Sequence, residues 1–283
     1  MVEVSTNHRG RLMKRICLTL LAMMIGAGAG HAANMQSHCI ALSQNVPGVR
    51  YASLGGRAAL ASDEVRLHYT GHSTYVLETQ SGLTVATDFT GFVGRGVLPD
   101  VVTMNRAHES HYTDFPDPAI DHVLKGWSTD GVPADHRLDL DEMLIRNVTT
   151  DIRSRWGGDA EENENSIFIF EVAGLCIGHL GHLHHEPSDE QYALIGRLDV
   201  VMAPVDGGMT LDTASMIRVL KRLRASVVLP MHWFGDGTLS TFLDGMRDEF
   251  DIVFPDDTAH TVSLRDLPRR PTIFVLRPRA ISP

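Results

Sequence analysis

The segment LCIGHLGHLHH, residues 175–185, places a cluster of histidines directly after a short apolar strand. Two other apolar runs, residues 101–104 and 227–229, are also followed by histidine within a few positions. Ligands delivered by several strand ends can meet at one point, and imidazole is the commonest metal-binding side chain. The three segments therefore predict a transition-metal centre at one edge of a sheet. The histidines that these segments supply are His108, His111, His179, His182, His184, His185 and His232.

The surrounding pattern predicts a mixed α/β fold. Residues 64–88 alternate apolar and polar positions around short turns, which is typical of consecutive antiparallel strands. The fully apolar runs 200–203 and 227–229 are separated by residues 213–223, which have helical periodicity. Strands that alternate with helices indicate a sheet covered by helices. A further helix is expected over residues 118–124.

Residues 1–32 have the features of an export signal. Basic residues between positions 9 and 15 precede an uncharged run, residues 16–30, and the small-residue site Gly30-His31-Ala32. The uncharged run is shorter than the roughly 20 residues that a membrane span needs, which favours a cleaved signal over an anchor. We therefore expect a periplasmic or secreted protein that starts near Ala33. A lead-in segment, residues 33–63, then precedes a single domain, residues 64–283.

The composition of the chain limits its partners. The formal net charge is −10, and the predicted mature part has no cluster of lysine and arginine. This charge excludes nucleic acid and an anionic membrane surface as expected partners and leaves a small-molecule substrate. Cys39 and Cys176 either pair in an oxidising compartment or remain separate, with Cys176 as a small buried apolar residue. The oligomeric state is left open.

The spacing of the histidines is compatible with ligation of one ion. His108 and His111 are three residues apart, so one turn can direct both side chains to a common centre. His182 and His184 are two apart, which places both on one face of an extended chain. His232 approaches from another part of the sheet. The ligand type alone does not distinguish Zn²⁺ from Mn, Fe, Ni or Cu.

Short motifs occur in a fixed order along most of the predicted domain. They are Gly71-His72-Ser73-Thr74, Thr87-Asp88, Ile177-Gly178-His179-Leu180-Gly181, Leu198-Asp199-Val200-Val201 with Pro204, and Pro230-Met231-His232. From about residue 65 to residue 235, this order resembles the metallo-β-lactamase-fold hydrolases, in particular the branch related to ascorbate-6-phosphate lactonase. The resemblance implies an αββα sandwich, a metal site at one edge of two sheets, and water-activated hydrolysis with one or two zinc ions.

The chain departs from the pattern of the family it resembles at several ligand positions. Where the family has His-x-His-x-Asp-His, this chain has residues 106–111, RAHESH, and His182 stands where the family has a bridging aspartate. Arg106 cannot ligate, and the loss of a bridging carboxylate also favours one zinc ion over two. His72 is expected to support a ligand rather than to be one. The predicted ligands are His108, His111, His182 and His232, with His185 or His184 as an extra ligand or proton carrier.

The function predicted from these residues is an exported metal-dependent hydrolase that cleaves a small ester, lactone or phosphoester with a metal-activated water. With Ser110 at the family's base position, the proton acceptor is expected to be metal-bound hydroxide itself or one of Glu109, Asp151, His184 and His185. Arg106 either binds an anionic substrate group or pairs with a nearby aspartate. The alternative is a catalytically degenerate protein of the same fold that binds metal or a ligand without turnover.

Overall fold

A computed structural model describes residues 36–41, 60–105, 109–154 and 157–282. These residues belong to one compact unit, residues 35–283. The predicted signal segment, most of the predicted lead-in, and the predicted site residues Arg106 and His108 lie outside the described residues. Within the described ranges, no helix combines the length and the apolar character needed to cross a membrane.

The first sheet has six strands in the order β13-β1-β2-β3-β4-β5. Its strands are β1 (Glu64–Gly71), β2 (Thr74–Thr79), β3 (Thr84–Ala86), β4 (Val101–Met104), β5 (His122–Lys125) and β13 (Ala259–Ser263). The antiparallel pairs β1–β2 and β2–β3 confirm the prediction for residues 64–88. The helix predicted over residues 118–124 is wrong, because this part of the chain ends in β5, which pairs with β4 in parallel.

The second sheet has eight strands in the order β12-β14-β11-β10-β9-β8-β7-β6. Its strands are β6 (Arg137–Asp139), β7 (Met143–Ile152), β8 (Glu161–Val172), β9 (Leu175–His179), β10 (Val200–Pro204), β11 (Val227–Met231), β12 (Asp251–Val253) and β14 (Thr272–Phe274). β9, β10 and β11 run parallel to one another. Their carboxyl ends therefore lie at one edge of the sheet, and the loops that leave this edge carry His182, Asp206 and His232.

Helices cover the outer face of the second sheet. They are α1 (His38–Ala41), α2 (Asp189–Ile195), α3 (Thr213–Leu223) and α4 (Asp236–Met246). A short 3₁₀ helix, Glu109–His111, lies between β4 and β5 of the first sheet. α2 begins at Ser188, which forms a capping box with Gln191, and α3 begins at Asp212, which accepts the backbone N–H of Ser215. These caps satisfy helix N–H groups that have no partner inside the helix.

The apolar side chains form three clusters that match this layering. One cluster fills the space between the two sheets, and a second joins the outer face of the eight-stranded sheet to α2, α3 and α4. A smaller cluster on the outer face of the six-stranded sheet includes Val76, Val102 and Met104 together with Phe89 and Ile120 from loops. The two packed sheets agree with the predicted sandwich. The disulfide left open by the sequence forms between Cys39 and Cys176.

Candidate metal centre

Three histidines from distant parts of the chain converge at one edge of the two sheets. His72 lies in the turn between β1 and β2, His111 ends the 3₁₀ helix that follows β4, and His232 directly follows β11. One potential ligand atom from each ring lies within 4.8 Å of those of the other two. The ring centroids of His72 and His232 are 4.3 Å apart, and those of His111 and His232 are 5.1 Å apart. Neutral imidazoles grouped in this way are a suitable donor set for a metal ion.

Two of the three rings are held by buried carboxylates. Asp88 lies 2.7 Å from Nδ1 of His111, and Asp206 lies 2.8 Å from Nδ1 of His232. A carboxylate that accepts a hydrogen bond from Nδ1–H fixes the tautomer, leaves the lone pair on Nε2, and makes that nitrogen a better ligand. Nε2 of His232 is buried and has no hydrogen-bond partner among the described residues. The residues at this centre therefore fit a metal ion.

The two carboxylates are themselves strongly supported. Asp88 also accepts a hydrogen bond from the Asn105 side chain at 2.8 Å. Burial by itself would raise the pKa of Asp88, but the nearby imidazoles and the hydrogen bonds outweigh it and hold that pKa below its usual value. The pKa of Asp206 is lowered in the same way: hydrogen bonds from His232, from the Thr210 hydroxyl and from backbone N–H groups outweigh burial. Both groups are therefore carboxylates that can accept from imidazole at neutral pH.

The backbone at the centre adopts conformations that side chains usually avoid. His72, Asp88 and His232 have φ angles of 52°, 42° and 55°, in the left-handed region. Such conformations cost free energy and persist where the surrounding structure enforces them, which is common at functional sites. The carbonyl of His72 accepts hydrogen bonds from the Tyr69 hydroxyl and from the backbone N–H of His232, both at 2.8 Å. These bonds attach the turn that carries His72 to the strand end that carries His232.

A second pair of histidines lies beside the centre. His182 and His184 are buried, and Nδ1 of His182 is 2.6 Å from Nε2 of His184. Nδ1 of His184 in turn accepts the backbone N–H of Arg153 at 2.7 Å. The ring of His182 is perpendicular to those of His111 and His232, with centroid separations of 4.7 and 5.0 Å. His182 is therefore in contact with two of the converging histidines, and the pair lies outside the group of three converging nitrogens.

The loop that carries His182 can approach the first sheet because residue 181 is glycine. Gly181 has a φ of 60°, and a Cβ atom built on it would lie 2.4 Å from Oδ1 of Asn165 and 2.6 Å from Nδ2 of Asn105. Asn165 also accepts the backbone N–H of His182, and Asn105 donates to Asp88. A side chain at position 181 would therefore disturb both supporting asparagines.

We expect Gly181→Ala to lower the free energy of unfolding by about 3 kcal/mol, because it adds left-handed strain to a collision with fixed side chains. Gly96 provides a matched control, since its φ is 74° and no neighbouring atom lies within 4 Å of the position that a Cβ would take there. Gly96→Ala should cost only the backbone strain, about 1 kcal/mol. Chemical denaturation measures both values, and equal costs for the two variants would contradict the role assigned to close packing at Gly181.

The structure separates the site residues predicted from the sequence into distinct groups. It places His111 and His232 in the converging group, and it places His182 and His184 beside that group. His185 is exposed and lies outside the group.

Two further residues from the sequence analysis contact the backbone. Asp151, on β7, accepts the backbone N–H of Asn163 at 2.9 Å across the β7–β8 hairpin. His179 is buried; its ring nitrogens bond to the carbonyl of Ser73 and the N–H of Gly181, so it supports the backbone.

Two residues at the centre, His72 and Asp206, lie outside the predicted set of ligands and catalytic residues. His72 was expected to support a ligand, but it belongs to the group of three. The available signal was the motif Gly71-His72-Ser73-Thr74, which places a histidine at the tip of a strand turn. Asp206 lies two residues after the end of β10, in the segment Asp206-Gly207-Gly208, at the same sheet edge as His232. Both residues are polar and lie within two positions of a strand end, which is the pattern that identified the histidine cluster.

A cavity of about 300 Å³ opens beside His72. Its walls include Glu109 and Ser110, the apolar side chain of Phe92, and Val93. The Ser110 hydroxyl lies 3.0 Å from Nε2 of His72. This volume is at the lower end of the range for sites that bind small molecules. Glu109, one of the predicted proton acceptors, therefore lines the same cavity as His72, one of the converging histidines.

The fold and the histidine centre together define the class of protein. Residues 66–232 match the family model described as the beta-lactamase superfamily domain, and the chain belongs to this family. The match contains the whole converging group, from His72 to His232. The metallo-β-lactamase fold predicted from the sequence is thus confirmed, as is the enzyme class at the level of the family.

The chain is similar to two curated metal-dependent hydrolases from archaea. A UPF0173 metal-dependent hydrolase of Methanosphaerula palustris is 25% identical over 186 residues, which cover 60% of this chain and 84% of that protein. The UPF0173 metal-dependent hydrolase TV0864 of Thermoplasma volcanium is 22% identical over 195 residues, with the same coverage of 60% and 84%. Both names refer to metal dependence, which agrees with the ligand group described above.

A solved structure supports the fold. A protein from Thermotoga maritima, described as a Zn-dependent hydrolase of the metallo-β-lactamase superfamily, superposes with a TM-score of 0.51 at 23% identity. The match covers 75% of this chain and 98% of the other. A metal-dependent hydrolase from Parabacteroides distasonis also gives a TM-score of 0.51, at 12% identity, covering 65% of this chain and 89% of the other. At these identities the likeness shows the shared fold.

Proposed function

We propose that this protein is an exported hydrolase that cleaves a small ester, lactone or phosphoester at one metal ion, with Zn²⁺ as the expected metal. The observation that carries the proposal is the convergence of His72, His111 and His232, two of them fixed by buried carboxylates. Three protein ligands leave a coordination position open, as in catalytic rather than structural zinc sites. The names of the curated relatives and the resemblance to the lactonase branch support the same reaction class.

The bound metal would supply Lewis acidity, which polarises a carbonyl or phosphoryl oxygen and lowers the pKa of water. The residues of the chain supply positioning and proton handling. Asp88 and Asp206 keep the ligand rings in their tautomers, and the carbonyl of His72 fixes the turn. Glu109, exposed at the cavity, is the carboxylate that can accept a proton from the attacking water.

The shape of the cavity supports a small substrate with an apolar part. Phe92 has 62% of its surface exposed and lines the cavity, and Phe234 is equally exposed with its ring 5.6 Å from that of His72. Exposed aromatic side chains at the mouth of a polar site are suited to contact an acyl or alkyl group. The net charge of −10 further supports a small-molecule substrate rather than nucleic acid.

An exported location is part of the proposal. The signal-like residues 1–32 support it, and so does the Cys39–Cys176 disulfide, because such bonds persist in oxidising compartments such as the periplasm. Cell fractionation combined with mass spectrometry of the mature amino terminus tests this location. A chain that retains its first residues and is found with reduced cysteines in the cytoplasm would contradict it.

The reaction is tested on purified mature protein with aryl esters, lactones and phosphodiesters. We expect hydrolysis of one of these classes to fall at least tenfold after chelation and to return when Zn²⁺ or Mn²⁺ is added, because the metal supplies most of the activation of water. Glu109→Gln, which keeps the size of the side chain, should lower kcat by roughly 100-fold through loss of the proton acceptor. The absence of metal-dependent turnover on all three classes would instead favour a binding protein.

A further inference from the structure

We propose that His182 takes part in this centre as a hydrogen-bond donor through Nε2, and not as a metal ligand, and that His184 enforces this role. The inference rests on the proposed function and deepens it, since it assigns a positioning task to two histidines that sequence reasoning placed among the ligands and proton carriers. It also accounts for a histidine at the position where the resembled family has a bridging carboxylate.

The backbone N–H of Arg153 can only donate, and this fixes the protons on both rings. It donates to Nδ1 of His184 at 2.7 Å, so this nitrogen carries no proton and the proton of the neutral ring is on Nε2. Nε2–H of His184 then donates to Nδ1 of His182 at 2.6 Å. Nδ1 of His182 is therefore an acceptor, and its proton must be on Nε2. A protonated nitrogen has no lone pair for a metal, so this arrangement prevents His182 from ligating through Nε2.

The tautomer is set firmly because every member of the chain of hydrogen bonds is fixed. His182 is fully buried, and its own backbone N–H is held by Oδ1 of Asn165 at 2.8 Å. The side chain of Arg153 donates to the carbonyls of Gly208 and Thr210, in the loop that carries Asp206. The segment that orients His184 is therefore anchored to the loop that supports the ligand His232.

The position of His182 gives the donor a function. Its ring lies within 5.0 Å of the rings of both His111 and His232, perpendicular to each. Hydrolysis of an ester or phosphoester develops negative charge on a substrate oxygen, and a metal held by the three converging histidines would bring that oxygen to this centre. A neutral N–H donor at the same centre would stabilise the charge without competing for the ion. Removing one donor of this kind typically lowers kcat by about 10² to 10³.

The test combines metal content with the protonation pattern of the rings. In long-range ¹H–¹⁵N spectra of metal-free and zinc-loaded mature protein, we expect both His182 and His184 to carry their proton on Nε2. Their signals are assigned from the spectra of His182→Gln and His184→Ala. In His184→Ala, the donor to Nδ1 is lost, so His182 should become a mixture of the two tautomers. This spectroscopic change would not follow from a merely structural role of His184.

The zinc content of variants distinguishes a metal ligand from a hydrogen-bond donor. His182→Gln keeps an N–H donor of similar reach, and His182→Ala removes it; both should retain one equivalent of zinc, whereas His111→Ala should lose it. We expect kcat to fall about 100-fold in His182→Ala and to be partly restored in His182→Gln. His122→Ala, on β5, is the control for removal of a histidine away from the centre.

Two outcomes would overturn the inference. One is loss of zinc from both His182 variants to the extent seen in His111→Ala, and the other is a His182 signal with its proton on Nδ1. These outcomes are distinct from failure of the proposed function. A wild-type protein that hydrolyses none of the substrates would refute the reaction, while the tautomers and the metal content would still decide the role of His182.

Discussion

His232→Ala is expected to abolish tight metal binding and, with it, metal-dependent hydrolysis. His232 is one of the three converging residues, with its ring 4.3 Å from that of His72 and 5.1 Å from that of His111. Its Nε2 is buried, and removal of the ring would leave two imidazoles at a site that needs at least three protein ligands for firm binding. Metal content after dialysis and competition with a chromophoric chelator measure the loss of affinity.

Asp206→Asn should also weaken metal binding, but less than His232→Ala does. Asp206 accepts backbone N–H groups on Oδ1 and faces Nδ1 of His232 with Oδ2. An asparagine can keep its oxygen on the backbone side, but its amide nitrogen would then face the ring and favour the wrong tautomer. The expected decrease in metal affinity is roughly 10- to 100-fold, the usual cost of losing an outer partner of a ligand.

Asp199→Asn is the matched control for this comparison. Asp199 is also a buried aspartate; it accepts the backbone N–H of Cys176 and pairs with Arg197. Its substitution should lower stability and leave metal affinity unchanged. If His232→Ala retained a full equivalent of zinc, or if Asp199→Asn weakened binding as much as Asp206→Asn, the assignment of the centre would be refuted.

The sequence predicts those parts of this molecule that depend on local pattern. The apolar runs at β9, β10 and β11 are short and uninterrupted, as in strands buried on both faces, and the helical periodicity of α3 stands between two of them. Parallel strands joined through helices place their carboxyl ends at one edge, so the polar residues that follow them are brought together. His232 follows one of these strands, whereas His111 reaches the same group from the first sheet, after β4.

The sequence does not predict features that depend on packing between distant segments. Residues 118–124 have an apolar pattern that is too short to distinguish helix from strand, and pairing with β4 makes its end a strand. His184 and His185 are adjacent, yet one is buried and the other exposed, because the path of the loop decides which ring points inward. The tautomer of His182 depends on a backbone N–H of Arg153, a contact that no local spacing encodes.

The disulfide acts differently from the metal centre, because its effect on stability is exerted mainly on the unfolded chain. Cys39 and Cys176 are separated by 137 residues, so the bond closes a long loop that contains the entire first sheet except β13. Loop-closure entropy assigns roughly 5 kcal/mol to a loop of this size, and measured values are typically about 2–4 kcal/mol. In the folded protein, α1 is also held by the Glu171 carboxylate, which accepts the Ser37 hydroxyl at 2.6 Å and the His38 N–H at 2.8 Å.

Replacing both cysteines by alanine is therefore expected to lower the free energy of unfolding by about 3–5 kcal/mol while the fold and the metal centre persist. The hydrogen bonds of Glu171, together with its ion pair to Arg146 at 2.7 Å, should keep α1 in place once the chain is folded. Guanidinium denaturation of the oxidised protein, the reduced protein and the double variant measures the effect. If loop closure is the cause, reduction should lower the free energy of unfolding as much as the substitutions do. A decrease seen only in the double variant would assign the effect to the loss of the two buried side chains.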